Sequence, residues 1–216
     1  PFIPLYAPLF QHRKFSTETD VDEYLSWIQK KIKYPFWSIE RWHIDFATLR
    51  SRLLELIPNG FDYATACRET ILHSRSVFPK TAPAALILKE PAYALQTKRL
   101  LQIFPDARFI FVYRDPRAQV NSVRHMPFGS HLLTFNTFFW NRVQKHVLKL
   151  KSSMPDRVLC VAYEDLVRNT EDSLINICQF FQIPFNEKML HYHESGDAIK
   201  SEYGLNDPVI VKYGES

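Results

Sequence analysis

The stretch FIFVYRDPRAQVNS, residues 109–122, changes character within a few positions. Five apolar or aromatic residues run into Arg114, Asp115 and Pro116, and a helix-compatible segment follows. Asp115 has the side chain of a helix N-cap, and Pro116 is favoured at the first helical position because its missing N–H would have no intrahelical partner there. A strand-to-helix turn is therefore encoded locally. Arg114 stands just before the cap, beside the positive end of the helix dipole, and Ser122 falls two turns beyond Asp115 on the same face. A guanidinium presents a planar fork suited to phosphate oxygens, and a hydroxyl adds a further donor. The spacing also allows Arg114 to pair with Glu164 or Asp165, and on its own it leaves both readings open.

Two further runs resemble the first in texture. AALILK (84–89) and RVLCVAYEDL (157–166) are short and almost continuously apolar. Separated by helical patterns, such runs predict an α/β fold with a parallel sheet covered by helices on both faces. Ligands in these sheets bind beyond the carboxyl ends of the strands. There the three runs carry Lys89-Glu90, Arg114-Asp115 and Tyr163-Glu164-Asp165. Lys89, fixed between an apolar run and Pro91, could stabilise developing negative charge or simply pair with Glu90. Tyr163 could stack on a base or serve as an amphipathic core residue.

The first eighty residues read differently. Residues 1–16 are punctuated by prolines and expected to be irregular. TETDVDEYLSWIQKKIK predicts a helix with Val21, Tyr24, Leu25, Ile28 and Ile32 as its apolar stripe. A second helix is expected from about Asp45 to Ile57, and a third to about Ser76. RWHIDF (41–46) reads as a loop against the core. The chain of 216 residues is read as one domain: a mainly helical region over 1–80 and an α/β core over 84–187.

Composition narrows the classes. A net charge of +4 suits an anionic ligand but is too small and dispersed to indicate nucleic acid. No apolar run is long enough to span a membrane. Cys67, Cys160 and Cys178 lack metal-ligand spacing and read as buried free thiols, which points to a reducing compartment and hence cytoplasm. His191 and His193 alternate, so a helix would place them on different faces, and no metal site is expected. His125 could line the same pocket as Ser122, or be a solvated helix residue. The five glycines are isolated, so these residues hold no glycine-rich phosphate loop.

Taken together, these segments resemble the sulfotransferases that use PAPS (3′-phosphoadenosine 5′-phosphosulfate). FPDARFIFVYRDPRAQVNS is similar to the family's 3′-phosphate motif, a strand-end arginine with a serine eight residues later, here Arg114 and Ser122. RVLCVAYEDLVRNTEDSLINICQFFQIPF resembles the segment whose tyrosine lies near the adenine, here Tyr163. LILKEPAY resembles the segment whose lysine sits beside the sulfuryl group, here Lys89. The resemblance implies a P-loop-kinase-like sulfotransferase fold and sulfuryl transfer from PAPS to a hydroxyl or amine, with PAP as product and the first eighty residues shaping the acceptor site. The family's glycine- and serine-containing phosphosulfate loop and its catalytic base have no counterpart here, so the chain is expected to be a piece of a longer enzyme. A kinase-like nucleotide enzyme and a non-catalytic, degenerate sulfotransferase module are the alternatives. The acceptor, whether small molecule, glycan or protein, and the oligomeric state are not legible. Cytoplasm is the expected compartment, with the Golgi lumen the alternative for a tyrosylprotein-like enzyme.

Overall fold

The computed structural model describes residues 2–30, 42–74, 83, 85–126 and 129–191. The chain divides into two compact units, residues 1–75 with 87–160 and residues 76–86 with 161–216.

The first unit opens with helix α1 (Phe2–Phe10), where the prolines led us to expect irregular chain. Pro4 lies in the first turn, where a missing N–H costs nothing. Pro8 lies inside the helix, and its absent N–H strands the carbonyl four residues back, that of Pro4. Arg99 supplies the donor, its Nη1 lying 3.0 Å from the Pro4 oxygen. This partner comes from 95 positions away in the sequence, so no local pattern could announce it.

A two-residue strand β1 (Lys14–Phe15) leads to α2 (Glu18–Gln29). Thr17 and Asp20 close that helix reciprocally: the Thr17 hydroxyl accepts the Asp20 N–H at 3.2 Å, and the Asp20 carboxylate accepts the Thr17 N–H at 3.0 Å. Val21, Tyr24, Leu25 and Ile28 are buried as the stripe predicted; Ile32 lies outside the described residues. Helix α3 (Phe46–Leu56) is capped by Asp45, strand β2 (Phe61–Asp62) follows, and α4 (Tyr63–Leu72) is capped by Asp62. β1 and β2 pair antiparallel, with Phe15 opposite Phe61. Their rings stack at 4.9 Å and join Phe10, Tyr24 and Tyr63 in one aromatic cluster. Both tyrosine hydroxyls are satisfied. Tyr24 bonds Thr70 at 2.7 Å, and Tyr63 donates to the Ile3 carbonyl at 2.8 Å. Helix α5 (Thr97–Ile103) inserts Leu100 and Ile103 into the same core, against which Phe109 also packs.

Strand β3 (Phe109–Tyr113) then runs into α6 (Pro116–Arg124), and the long α7 (Leu133–Ser153) packs on α6. Thr97 and His146 share a 2.9 Å hydrogen bond that ties α5 to α7. Lys151 donates to the carbonyls of Pro155 and Val158, at 2.9 and 2.6 Å, setting the chain into strand β4 (Val158–Ala162). β4 pairs with β3 after the helical crossover that parallel strands require, so the architecture is α/β with a helical layer supplied by the amino-terminal region. The second unit holds α8 (Tyr163–Arg168) and α9 (Thr170–Phe181), whose inner face buries Cys178 against Met189.

Three further expectations need correction. Residues 85–89 form no strand, and Ile87 is 70% exposed: apolar character alone does not supply a ladder partner. β3 is less covered than a fully buried strand, with Val112 45% exposed, because among the described residues it has one strand neighbour rather than two. YEDL starts a helix instead of ending β4. The expected end of the third helix, Ser76, lies outside the described residues.

Arg99→Met removes the donor to the Pro4 carbonyl and is expected to cost about 1–3 kcal/mol in urea denaturation. In a Pro8→Ala background the restored N–H takes that carbonyl, so the same substitution should cost measurably less. Equal losses in both backgrounds would show that Arg99 stabilises by other means.

Candidate anion site at the strand-to-helix turn

The site is built around the end of β3. Asp115 caps α6 through a 2.8 Å bond from the Arg117 N–H, and Pro116 is the first helical residue, both as the sequence dictates. A cap of this kind contributes about 1 kcal/mol to the helix. Val120 is the residue of α6 that buries, which fixes the helix face. The exposed Arg114 stands immediately before the cap. Ser122 is half-buried, and its hydroxyl makes no hydrogen bond among the described residues. Its carbonyl closes the helix by accepting the His125 N–H at 3.2 Å. His125 is the exposed C-cap of α6.

Arg117 escaped the sequence reading although it lies inside the quoted stretch. Its Nε and Nη2 donate to the two Asp115 oxygens at 3.1 and 2.7 Å. The Arg117 side chain, helped by its own backbone N–H, holds the Asp115 carboxyl far below the usual carboxylate range. The signal available was an arginine two residues after a helix cap, within reach of the cap's carboxylate.

Lys89 is exposed, sits in chain without regular secondary structure before the 3₁₀ turn Pro91–Leu95, and forms no ion pair among the described residues; the pairing with Glu90 is not made. It shares the first unit with Arg114 and Ser122. Tyr163 belongs to the second unit, where it is the exposed first residue of α8. In the RWHIDF segment Asp45 is the α3 cap and Trp42 packs on the core; Arg41 lies outside the described residues. A pocket of about 660 Å³, lined in part by His12, Lys14, Asn59 and Thr65, opens on the helical layer and includes none of these site residues. No cluster of metal-ligating side chains occurs among the described residues, and no helix there is long and apolar enough to cross a membrane.

The profile of the Sulfotransferase family matches residues 4–187. Protein-tyrosine sulfotransferase 1 of Danio rerio is 32% identical over 118 residues, 52% of this chain and 33% of that protein. The protein-tyrosine sulfotransferase of Drosophila melanogaster is 30% identical over 112 residues, 49% of this chain and 22% of its own length. The matched stretch spans less than half the length of such relatives. Among solved structures, a sulfotransferase domain from the curacin biosynthetic pathway aligns with a TM-score of 0.49 at 16% identity, over 87% of this chain and 62% of that one.

These relatives overturn the cytoplasmic expectation, because protein-tyrosine sulfotransferases are known as Golgi enzymes. The thiols misled for a physical reason. Cys67 and Cys178 are buried, Cys160 is half-buried and all three are free, and a free thiol enclosed by the fold does not identify a reducing compartment. Burial pushes the Cys67 thiol up to about 12 and raises that of Cys160. At pH 8 Cys67 is therefore expected to stay unmodified by an aromatic disulfide reagent in the native protein and to react on unfolding. Rapid native labelling of Cys67 would contradict the core described above.

Proposed function

This chain belongs to the Sulfotransferase family, and on that premise we propose that it transfers a sulfuryl group from PAPS to a hydroxyl acceptor, in the first instance a tyrosine on a protein. The acceptor follows from the relatives, which are protein-tyrosine sulfotransferases about 30% identical over half of this chain. The observation that carries the reading is the β3–α6 turn, with an exposed guanidinium at the strand end and an uncommitted hydroxyl on the face of the capped helix. Both groups fit the 3′-phosphate that distinguishes PAPS and PAP from other adenine nucleotides.

Roles follow from chemistry. Arg114 would take phosphate oxygens with its fork, assisted by the partial positive charge of the α6 N-terminus, and Ser122 would donate one further hydrogen bond. Tyr163 would lie near the adenine. PAPS supplies the activated sulfuryl group; the protein's part is to align donor with acceptor and to offset charge on the bridging oxygen. Lys89, exposed and unpaired among the described residues, has the charge and freedom to do so. The family match gives no support to a kinase-like reading.

Under this proposal PAP at about a hundred times its Kd stabilises the protein by about 2.7 kcal/mol, roughly 5–10 °C in melting temperature, and AMP at the same concentration by much less. Arg114→Ala removes the difference between the two nucleotides. Identical shifts with PAP and AMP in the unmodified protein would sink the assignment. Lys89→Ala should bind PAP normally yet lose about a hundredfold in turnover; an unchanged rate would remove Lys89 from the mechanism.

A further inference from the structure

The turn at the end of β3 carries a conflict. Folding requires a side chain that accepts the first N–H groups of α6, and Asp115 meets the need with a carboxylate. That places a negative charge next to Arg114, at a helix N-terminus whose orphan N–H groups and dipole otherwise favour an incoming anion. A neutral cap such as Ser or Asn would close the helix about as well. Charge at the cap thus works against the function proposed for the turn.

The structure answers the conflict with Arg117. Its fork covers both carboxylate oxygens of Asp115, at 3.1 and 2.7 Å. The Arg117 side chain is 90% exposed, and an exposed ion pair of this kind adds little to folding stability. Its consequence is electrostatic. We infer that Arg117 is a positioning residue that cancels the charge of the Asp115 cap, so that the turn presents net positive charge to a phosphate lodged at Arg114 and Ser122. The inference rests on the nucleotide reading above. Arg117 acts on the cap and does not itself touch the phosphate.

Coulomb's law sets the scale. Uncovering one carboxylate about 6 Å from a phosphate dianion weakens binding about tenfold in water, and screening at physiological salt reduces this to about three- to fivefold. A double-mutant cycle isolates the effect. PAP and AMP affinities are measured by calorimetry at fixed salt for the full chain and for Arg117→Ala, Asp115→Asn and the double variant. Asparagine keeps the helix cap while removing its charge.

The expected result is that Arg117→Ala raises the Kd for PAP about three- to tenfold and scarcely changes that for AMP. In the Asp115→Asn background the same substitution should change PAP affinity less than about twofold. Arg117→Lys, which keeps the charge without the fork, should fall between. An equal loss in both backgrounds overturns the inference, because it would mean direct contact with the nucleotide or a structural role; no loss in either background overturns it as well. Failure of the unmodified protein to prefer PAP over AMP removes the nucleotide reading itself, and the inference with it.

Discussion

Everything proposed for this chain depends on the register of one turn. Asp115 accepts the N–H of Arg117, Pro116 fixes the first helical dihedral, and β3 therefore ends at Tyr113, with Arg114 between the strand and the cap. A cap one residue later would place a different side chain at the strand end and rotate Ser122 by about 100° around the helix. The guanidinium and the hydroxyl belong to one site only because the cap sets both positions. The same aspartate then has to be neutralised, and the guanidinium two residues on does so through two hydrogen bonds.

Around this turn the stability is supplied elsewhere. The largest buried side chains, among them Tyr24, Tyr63, Phe10 and Phe15, belong to the helical region, and α5 and the start of β3 are fastened to that region through Leu100, Ile103 and Phe109. The Arg99–Pro4 bond and the Thr97–His146 bond continue the attachment, the first to α1 and the second to α7. The turn can remain polar and accessible because it does not have to supply the core. This separation of a rigid apolar scaffold from an exposed polar rim is common where a loop or element end carries function.

What could be read from the sequence was what is decided locally. The helices α2, α3 and α6 were legible from caps and periodicity, since Thr17, Asp45 and Asp115 act on residues two or three positions away. The placement of Arg114 just past the strand and of Ser122 on α6 was legible for the same reason. Elements that depend on distant partners were not. Helix α1 hides behind two prolines because the donor that tolerates Pro8 comes from α5. The run at 85–89 looks like a strand, but strand formation needs a neighbour that its own letters cannot specify. Tyr163 was placed one element too early because a strand end and a helix start share the same polar residues. The thiols pointed to the wrong compartment because composition cannot separate buried cysteines from reduced ones.

A crystal structure of the protein with PAP tests the central claim most directly. The account predicts the 3′-phosphate within hydrogen-bond distance of the Arg114 guanidinium and the Ser122 hydroxyl, with Arg117 still holding Asp115 and at no point touching the nucleotide. A nucleotide bound elsewhere, or a 3′-phosphate facing solvent while Arg114 engages a carboxylate, would contradict it.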